Sequence, residues 1–424
     1  MTFTKPNGKR RVVVTGAGML SALGRNWDEA YEKLKEKKNL IKHMQEWEHL
    51  DKMNTKLACP YTEELPKFPR KKIRGMGRVG LLSLVATDDA LKMAGLLDAE
   101  GNAVEEIQNG RTGIAYGCCM GSMEALSDMI GIVEHGDFTK VDSQTYIKCM
   151  PQTCAANLSI YYQVRGRVIV TDTACTSSSQ AIGYSYEAIA DGRQDMMIAG
   201  GADELSAADS AIFDIMGAAS ARNSAPETSP AAWDKNRDGL VIGEGAGSLI
   251  LEDLEHAIKR GAKIYAEVVG FGTNMDGTHI TSPNSETQAV ALELAIEDAG
   301  IKPEEISYIN AHGTATAHGD ISESKAVYKV FGRAVPISTT KGYIGHTLGA
   351  CGAIESWLTI SMMNEGWFHP NLNLSEVDPE CAPLDYIMGD GRKIDAEYVM
   401  SNNFAFGGVN TSLIFKKWTN GSEN

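Results

Sequence analysis

LLSLVATDDALKMAGL (residues 81–96) with RTGIAYGCC (111–119), and AVALELAIEDAGIKPEEISYINAHGT (289–314), follow one plan. Each is a helix-like run ending in Ala-Gly, a short connection, and an apolar run that delivers a loop containing glycine. The likeness points to two similar halves packed together. Outward from these segments, strand-like runs alternate with helical ones. Strands are expected at 11–14, 112–116, 196–199, 247–251, 266–269, 306–310 and 411–415, and helices at 79–94, 177–190, 286–298 and 350–363. This alternation predicts an α/β fold of βαβ units with mainly parallel sheet. No Pro-rich or Ser-rich linker divides the chain, so no independently folding domains are expected.

The 424 residues are 43% hydrophobic and 22% charged, which suits a folded protein and excludes a disordered one. The eight cysteines lack CxxC pairs, so neither a disulfide framework nor a metal site is expected. The amino terminus has too few apolar residues for a signal peptide, and no run approaches the ~18 apolar residues of a membrane span. A cytoplasmic protein without a membrane partner is the expectation. A net charge of −15 argues against nucleic acid. Against that acidity, PKFPRKKIRGMGR (66–78) holds six basic residues and no acid, which suits either a solvated loop or a dock for an acidic partner. VVVTGAGML (12–20) lacks the third glycine of a dinucleotide-binding loop, so its Gly-Ala-Gly reads as a turn.

Chemistry concentrates in four segments. In VTDTACTSSSQAIGYSYEAIADG (170–192), Cys175 stands where a helix pattern begins. Amide N–H groups and the helix dipole there favour a thiolate, the attacking species in acyl transfer. The segment alone leaves a buried structural cysteine equally open. INAHGTATAHGD (309–320) sets His312 in a loop of glycine and threonine after a strand. STTKGYIGHTLGACGAIES (338–356) carries Lys341, His346 and Glu355, and MSNNFAFGGVNTS (400–412) carries Phe404 and Phe406 beside Gly-Gly. Two histidines in separate glycine-rich loops, with a lysine and a candidate nucleophile, point to an active site.

These segments, in this order, resemble the elongating β-ketoacyl-acyl carrier protein synthases of the thiolase superfamily. The likeness extends from RRVVVTGAGMLSALG (10–24) through WDKNRDGLVIGEGAGSLILED (233–253) to the last strand. It implies a thiolase-like α/β fold of two similar βαβ halves, 1–264 carrying the cysteine and 265–424 carrying the His/Lys residues and gate loop. Each half would hold a mixed five-stranded sheet layered between helices. It implies that Cys175 takes an acyl chain from the phosphopantetheine arm of acyl carrier protein and joins it to malonyl-carrier protein with loss of carbon dioxide. No tightly bound cofactor is implied.

In that scheme the N–H groups of Cys175 and Phe404 form the oxyanion hole, His312 and His346 serve the enolate, Lys341 tunes the charge and Glu355 holds Lys341. Thr314 and Thr316 contact the pantetheine arm, Phe404 gates the acyl pocket, Cys119 and Met120 line it, and Lys71, Arg74 and Arg222 dock the carrier. A homodimer is implied, with a heterodimer containing a ketosynthase-like sister chain as the alternative. His346 stands where coenzyme A-dependent starter synthases have asparagine, and the loop NFAFGGVN (403–410) lacks the second cysteine of thiolases. The retained cysteine, histidines and lysine weigh against an inactive tunnel-shaping subunit, and nothing demands the water acceptor of a cysteine acyl hydrolase. Three departures stand out: Ala405 where the family has glycine, which is expected to alter the motion of the gate loop because alanine adopts positive φ only at a cost; Ser178, Ser179 and Gln180 after the nucleophile; and Cys119–Met120 in YGCCMGSMEAL (116–126). They suggest a specialised polyene or polyketide-like pathway.

Overall fold

Eleven strands form one sheet in a computed structural model that describes residues 2–419. In chain order they are β1 (Val12–Leu20), β2 (Thr112–Gly117), β3 (Val168–Thr171), β4 (Met196–Asp203), β5 (Gly245–Asp253), β6 (Ala266–Met275), β7 (Ile306–Asn310), β8 (Pro336–Ser338), β9 (Asp385–Tyr386), β10 (Tyr398–Phe404) and β11 (Val409–Lys417). Their spatial order is β9-β8-β7-β10-β11-β6-β1-β5-β4-β2-β3.

The two halves anticipated from the repeated pattern are visible in the pairing. In the first, β3, β2 and β4 run parallel, then β5 and β1 follow antiparallel. The second repeats this scheme with β8, β7, β10, β11 and β6. The two five-stranded units join edge to edge where Val12–Val14 pairs antiparallel with Ala266–Val268. The carboxyl end of the second half, residues 420–424, and residue 1 lie outside the described residues.

The sheet is not mainly parallel, because the four central strands run antiparallel to their neighbours. Apolar runs identify a strand but not its direction, and the β10–β11 turn forces antiparallel pairing. The Gly-Ala-Gly read as a turn is instead the middle of β1. Cβ atoms added at Gly16 and Gly18 would fall 2.4 and 2.1 Å from the carbonyls of Ala90 and Ala86 on helix α1 (Arg78–Met93). The second half repeats the device. Gly270 and Gly272 on β6 would meet Ala295 and Ala291 carbonyls at 2.3 and 2.0 Å on α4 (Ser285–Ala299). These glycines let a helix lie directly on a strand.

Packed on the strands and on each other runs a buried pair, α2 (Ser177–Ala190) and α6 (Cys351–Glu365). Both are buried nearly all round, which explains why neither shows a polar stripe. The remaining helices that matter are α3 (Ala207–Ile215) and α5 (Ala317–Phe331). No described helix is long and apolar enough to cross a membrane.

Candidate active site

Strand β3 leads into a tight elbow. Ala174 adopts φ +51°, a left-handed conformation costly for a residue with a Cβ, and a single 3-10 turn, Ala174–Thr176, feeds α2. Hydroxyls of the motif hold the elbow. Thr176 Oγ1 donates to the Thr173 carbonyl at 2.7 Å, and Ser177 Oγ donates to the Ala174 carbonyl at 2.7 Å while accepting from Thr173 N–H. Cys175 therefore sits at the amino end of α2, as its sequence position suggested, with 3% of its surface exposed.

The second half of the chain delivers the partners. His312 leaves the end of β7, its N–H and that of Gly313 donating to the Glu323 carboxylate on α5 at 2.8 and 2.7 Å. His346 follows the short helix Lys341–Ile344, and its Nε2 lies 2.9 Å from Cys175 Sγ. The two imidazole rings meet edge to face at 5.1 Å. One nitrogen from each histidine and the Cys175 sulfur all lie within 4.8 Å of one another. Lys341 Nζ donates to Glu355 Oε1 at 2.5 Å in a fully buried pair, and Asn403 Nδ2 donates to Glu355 Oε2 at 2.8 Å.

Burial dominates the electrostatics. It pushes the Cys175 thiol up to about 11, although Lys341 and the amides of Phe406 and Cys175 pull it down. The helix amino terminus does not by itself produce a thiolate here. Burial and then the Lys341 charge hold His346 well below its ordinary value, and His312 likewise. The resting cysteine–histidine pair is thus neutral at physiological pH. Burial alone would lower Lys341, but the Glu355 carboxylate holds it protonated.

The expectations for the gate loop need correction. The amide directed at Cys175 Sγ besides its own belongs to Phe406, not Phe404. Phe404 ends β10 opposite Asn410 and turns its ring toward His312 at 6.3 Å, whereas Phe406 lies in the turn and packs against Phe213 of α3 at 5.3 Å. The residue whose amide neighbours the Cys175 sulfur is thus Phe406, two positions beyond the one expected. Ala405, moreover, has no positive φ. The left-handed positions of the turn are Gly407 (+91°) and Gly408 (+81°), so alanine costs nothing there.

Thr314 and Thr316 line a cavity of about 600 Å³ that also holds Cys175, His312 and His346. Their hydroxyls lie 3.0 Å apart. Cys119 is held at the site's floor by its N–H to buried Asp203, which also accepts from Gly349 N–H, but neither Cys119 nor Met120 lines this cavity. Lys71 and Arg74 are exposed. Arg222 is not available as expected, because its guanidinium pairs with Asp238 at 3.1 Å and donates to the carbonyls of Thr228 and Asn236. Arg78 of the basic run likewise grips buried Glu244.

Sequence reasoning missed Glu323, Asp203 and Asn403. Acidic residues in otherwise buried stretches were the available signal for the first two; Asn403 carried none.

Residues 9–257 match the family description "Beta-ketoacyl synthase, N-terminal domain", and residues 265–375 match "Beta-ketoacyl synthase, C-terminal domain". The chain belongs to the β-ketoacyl synthase family. The 3-oxoacyl-[acyl-carrier-protein] synthase 2 of Vibrio harveyi is 38% identical to this ketosynthase over 96% of this chain and 99% of the relative. A crystal structure of a β-ketoacyl synthase from Burkholderia phymatum superimposes with a TM-score of 0.94 at 51% identity, covering 96% of this chain and 100% of that one. The ishigamide ketosynthase/chain length factor follows at 0.85 and 28%, covering 97% and 100%. As a ketosynthase the chain is an acyltransferase, a condensing enzyme of the thiolase-like fold.

Proposed function

We propose that this chain extends an acyl chain by decarboxylative condensation with malonyl-acyl carrier protein, with Cys175 as the acylated residue. The observation that carries the reading is Cys175 Sγ 2.9 Å from His346 Nε2, with His312 beside them.

Cys175 Sγ attacks the carbonyl carbon of the incoming thioester while its proton passes to His346 Nε2. Negative charge on the tetrahedral oxygen is met by the N–H groups of Cys175 and Phe406. Collapse expels the pantetheine sulfur, which takes the proton back from His346 and leaves as the thiol, and the acyl-cysteine remains. Malonyl thioester then occupies the cavity past Thr314 and Thr316. Its carboxylate leaves as carbon dioxide, and the electron pair becomes an enolate whose oxygen takes hydrogen bonds from His312 and His346. Burial, reinforced by the Lys341 charge, keeps both imidazoles neutral and therefore able to donate without giving up a full proton. The enolate carbon attacks the acyl carbonyl, the C–S bond breaks, and the departing Cys175 thiolate takes one proton from solvent, which restores the resting thiol.

Lys71 and Arg74, exposed on an otherwise acidic protein, are the docking residues for the acidic carrier. The protein acts as a cytoplasmic homodimer in this reading. Strand β3 is a sheet edge with Val168 50% and Val170 39% exposed, an apolar edge that a second copy would cover. The alternative, a heterodimer in a polyketide-like pathway, draws on the ishigamide ketosynthase/chain length factor relative; Cys175 makes this chain the condensing member of such a pair. The halves 1–264 and 265–424 divide the work as nucleophile and histidine carriers. Mixing the purified protein with acyl- and malonyl-carrier protein should give a β-ketoacyl product two carbons longer and one carbon dioxide per turnover. Free fatty acid as the sole product would refute condensation.

A further inference from the structure

We propose that Cys351 is a positioning residue for the nucleophile and couples it, through Asn403, to the buried Lys341–Glu355 pair; this rests on Cys175 being the acylated residue. The strained elbow at Ala174 persists only if its surroundings hold it. Three consecutive carbonyls carry that restraint. Those of Thr173 and Ala174 accept from Thr176 and Ser177, which belong to the elbow and move with it. The third, Cys175 O, accepts from Cys351 Sγ at 3.1 Å. Cys351 is the first residue of α6, in the other half of the chain. It is the side chain that ties the nucleophile's own peptide to a separate element.

The tie is reciprocated and continued. Ala353 N–H, in the same first turn of α6, donates to Ser178 Oγ on α2 at 3.0 Å. This gives a purpose to a serine that departs from the family pattern. A Cβ at Gly352 would fall 2.7 Å from Ser179 N, so the two helix ends touch with nothing between them. Asn403 Nδ2 reaches Cys351 Sγ at 3.4 Å as well as Glu355 Oε2, so an unbroken buried chain runs from Lys341 through Glu355, Asn403 and Cys351 to Cys175. Burial and the Glu355 charge keep the Cys351 thiol protonated, which suits a donor and not a second nucleophile.

The test uses full-length Cys351→Ala and Cys351→Ser. Acylation of Cys175 by an acyl-carrier protein is followed in single turnover, with steady-state kcat and KM and the melting temperature alongside. Loss of the donor in Cys351→Ala should slow acylation roughly two- to ten-fold, the range of one modest hydrogen bond, and lower kcat with KM unchanged. Cys351→Ser keeps a donor and should recover most of the rate. Combining Cys351→Ala with Asn403→Ser should cost no more than the worse single change, because both break one chain. Wild-type rates in Cys351→Ala, or equal losses in the Ala and Ser variants that track a lower melting temperature, would overturn the proposal. A wild-type protein that acylates elsewhere than Cys175 would overturn the underlying reading and this inference with it.

Discussion

Replacing Lys341 by methionine removes one charge of a buried pair and separates what that charge does for stability from what it does for chemistry. At 2.5 Å the Lys341–Glu355 attraction is about 7 kcal/mol for an effective dielectric near 20. Desolvation offsets much of this while both partners are present. Deleting one strands a buried carboxylate, with a net loss of about 3–5 kcal/mol. An unfolding entropy near 2 cal/mol/K per residue makes about 0.9 kcal/mol/K for 424 residues, so the melting temperature should fall by about 3–6 °C. Adding Glu355→Gln removes the stranded charge yet keeps an acceptor for Asn403, and should restore most of that stability.

Activity should not return with it. Loss of the preorganised Lys341 charge should cut the condensation rate roughly a hundred-fold, and the acid limb of its pH profile should move upward, since burial alone then holds the two histidines down. Calorimetry with pH-dependent condensation rates reads both effects. A double variant with restored stability and wild-type activity would refute the electrostatic role and leave Lys341 a packing residue.

Alkylation of Cys175 by iodoacetamide, mapped by peptide mass spectrometry, should keep rising with pH toward about 11; a plateau below neutrality would reveal a thiolate–imidazolium pair instead. Lys71→Glu with Arg74→Glu should raise KM for acyl-carrier protein about ten-fold at low salt and less at high salt, and a KM insensitive to both would make the basic run a solvated loop. Arg222→Glu should instead lower the melting temperature by breaking the Asp238 contact. Asp203 and Glu323, both raised to about 7 by burial, keep protons in the folded chain that the unfolded chain releases near pH 4. The folded state then binds more protons between about pH 4 and 7, so denaturation midpoints should drop as pH rises through that window; a rise would contradict the assignment.

The helix that starts at Ser177 and the strand Ile306–Asn310 were legible to the residue, because polar or glycine-containing turns bound each run at both ends. Val168–Thr171, with alternate residues half exposed at the sheet edge, and Pro336–Ser338, three residues long, offer too short a period to see. Cys175 drew notice as a cysteine where a helix pattern begins, and His312, Lys341 and His346 as polar residues in glycine-rich loops, whereas the role of Glu355 came from the family resemblance. The exchange of Phe404 for Phe406 was not legible. Two phenylalanines separated by a single residue have the same composition around them, and only the β10–β11 turn decides which amide faces the sulfur. Asn403 and Cys351 stayed hidden for a related reason: each is a small side chain in a segment already assigned to another residue, and its partner lies in a different element.

The most direct measurement is intact-protein and peptide mass spectrometry of a single turnover, first with acyl-carrier protein and then with malonyl-carrier protein. The account predicts an acyl adduct on Cys175 that disappears as an equal amount of the two-carbon-longer β-ketoacyl product forms, and no adduct in Cys175→Ala. An adduct that survives in Cys175→Ala, or one that malonyl-carrier protein leaves untouched while it hydrolyses, would contradict it.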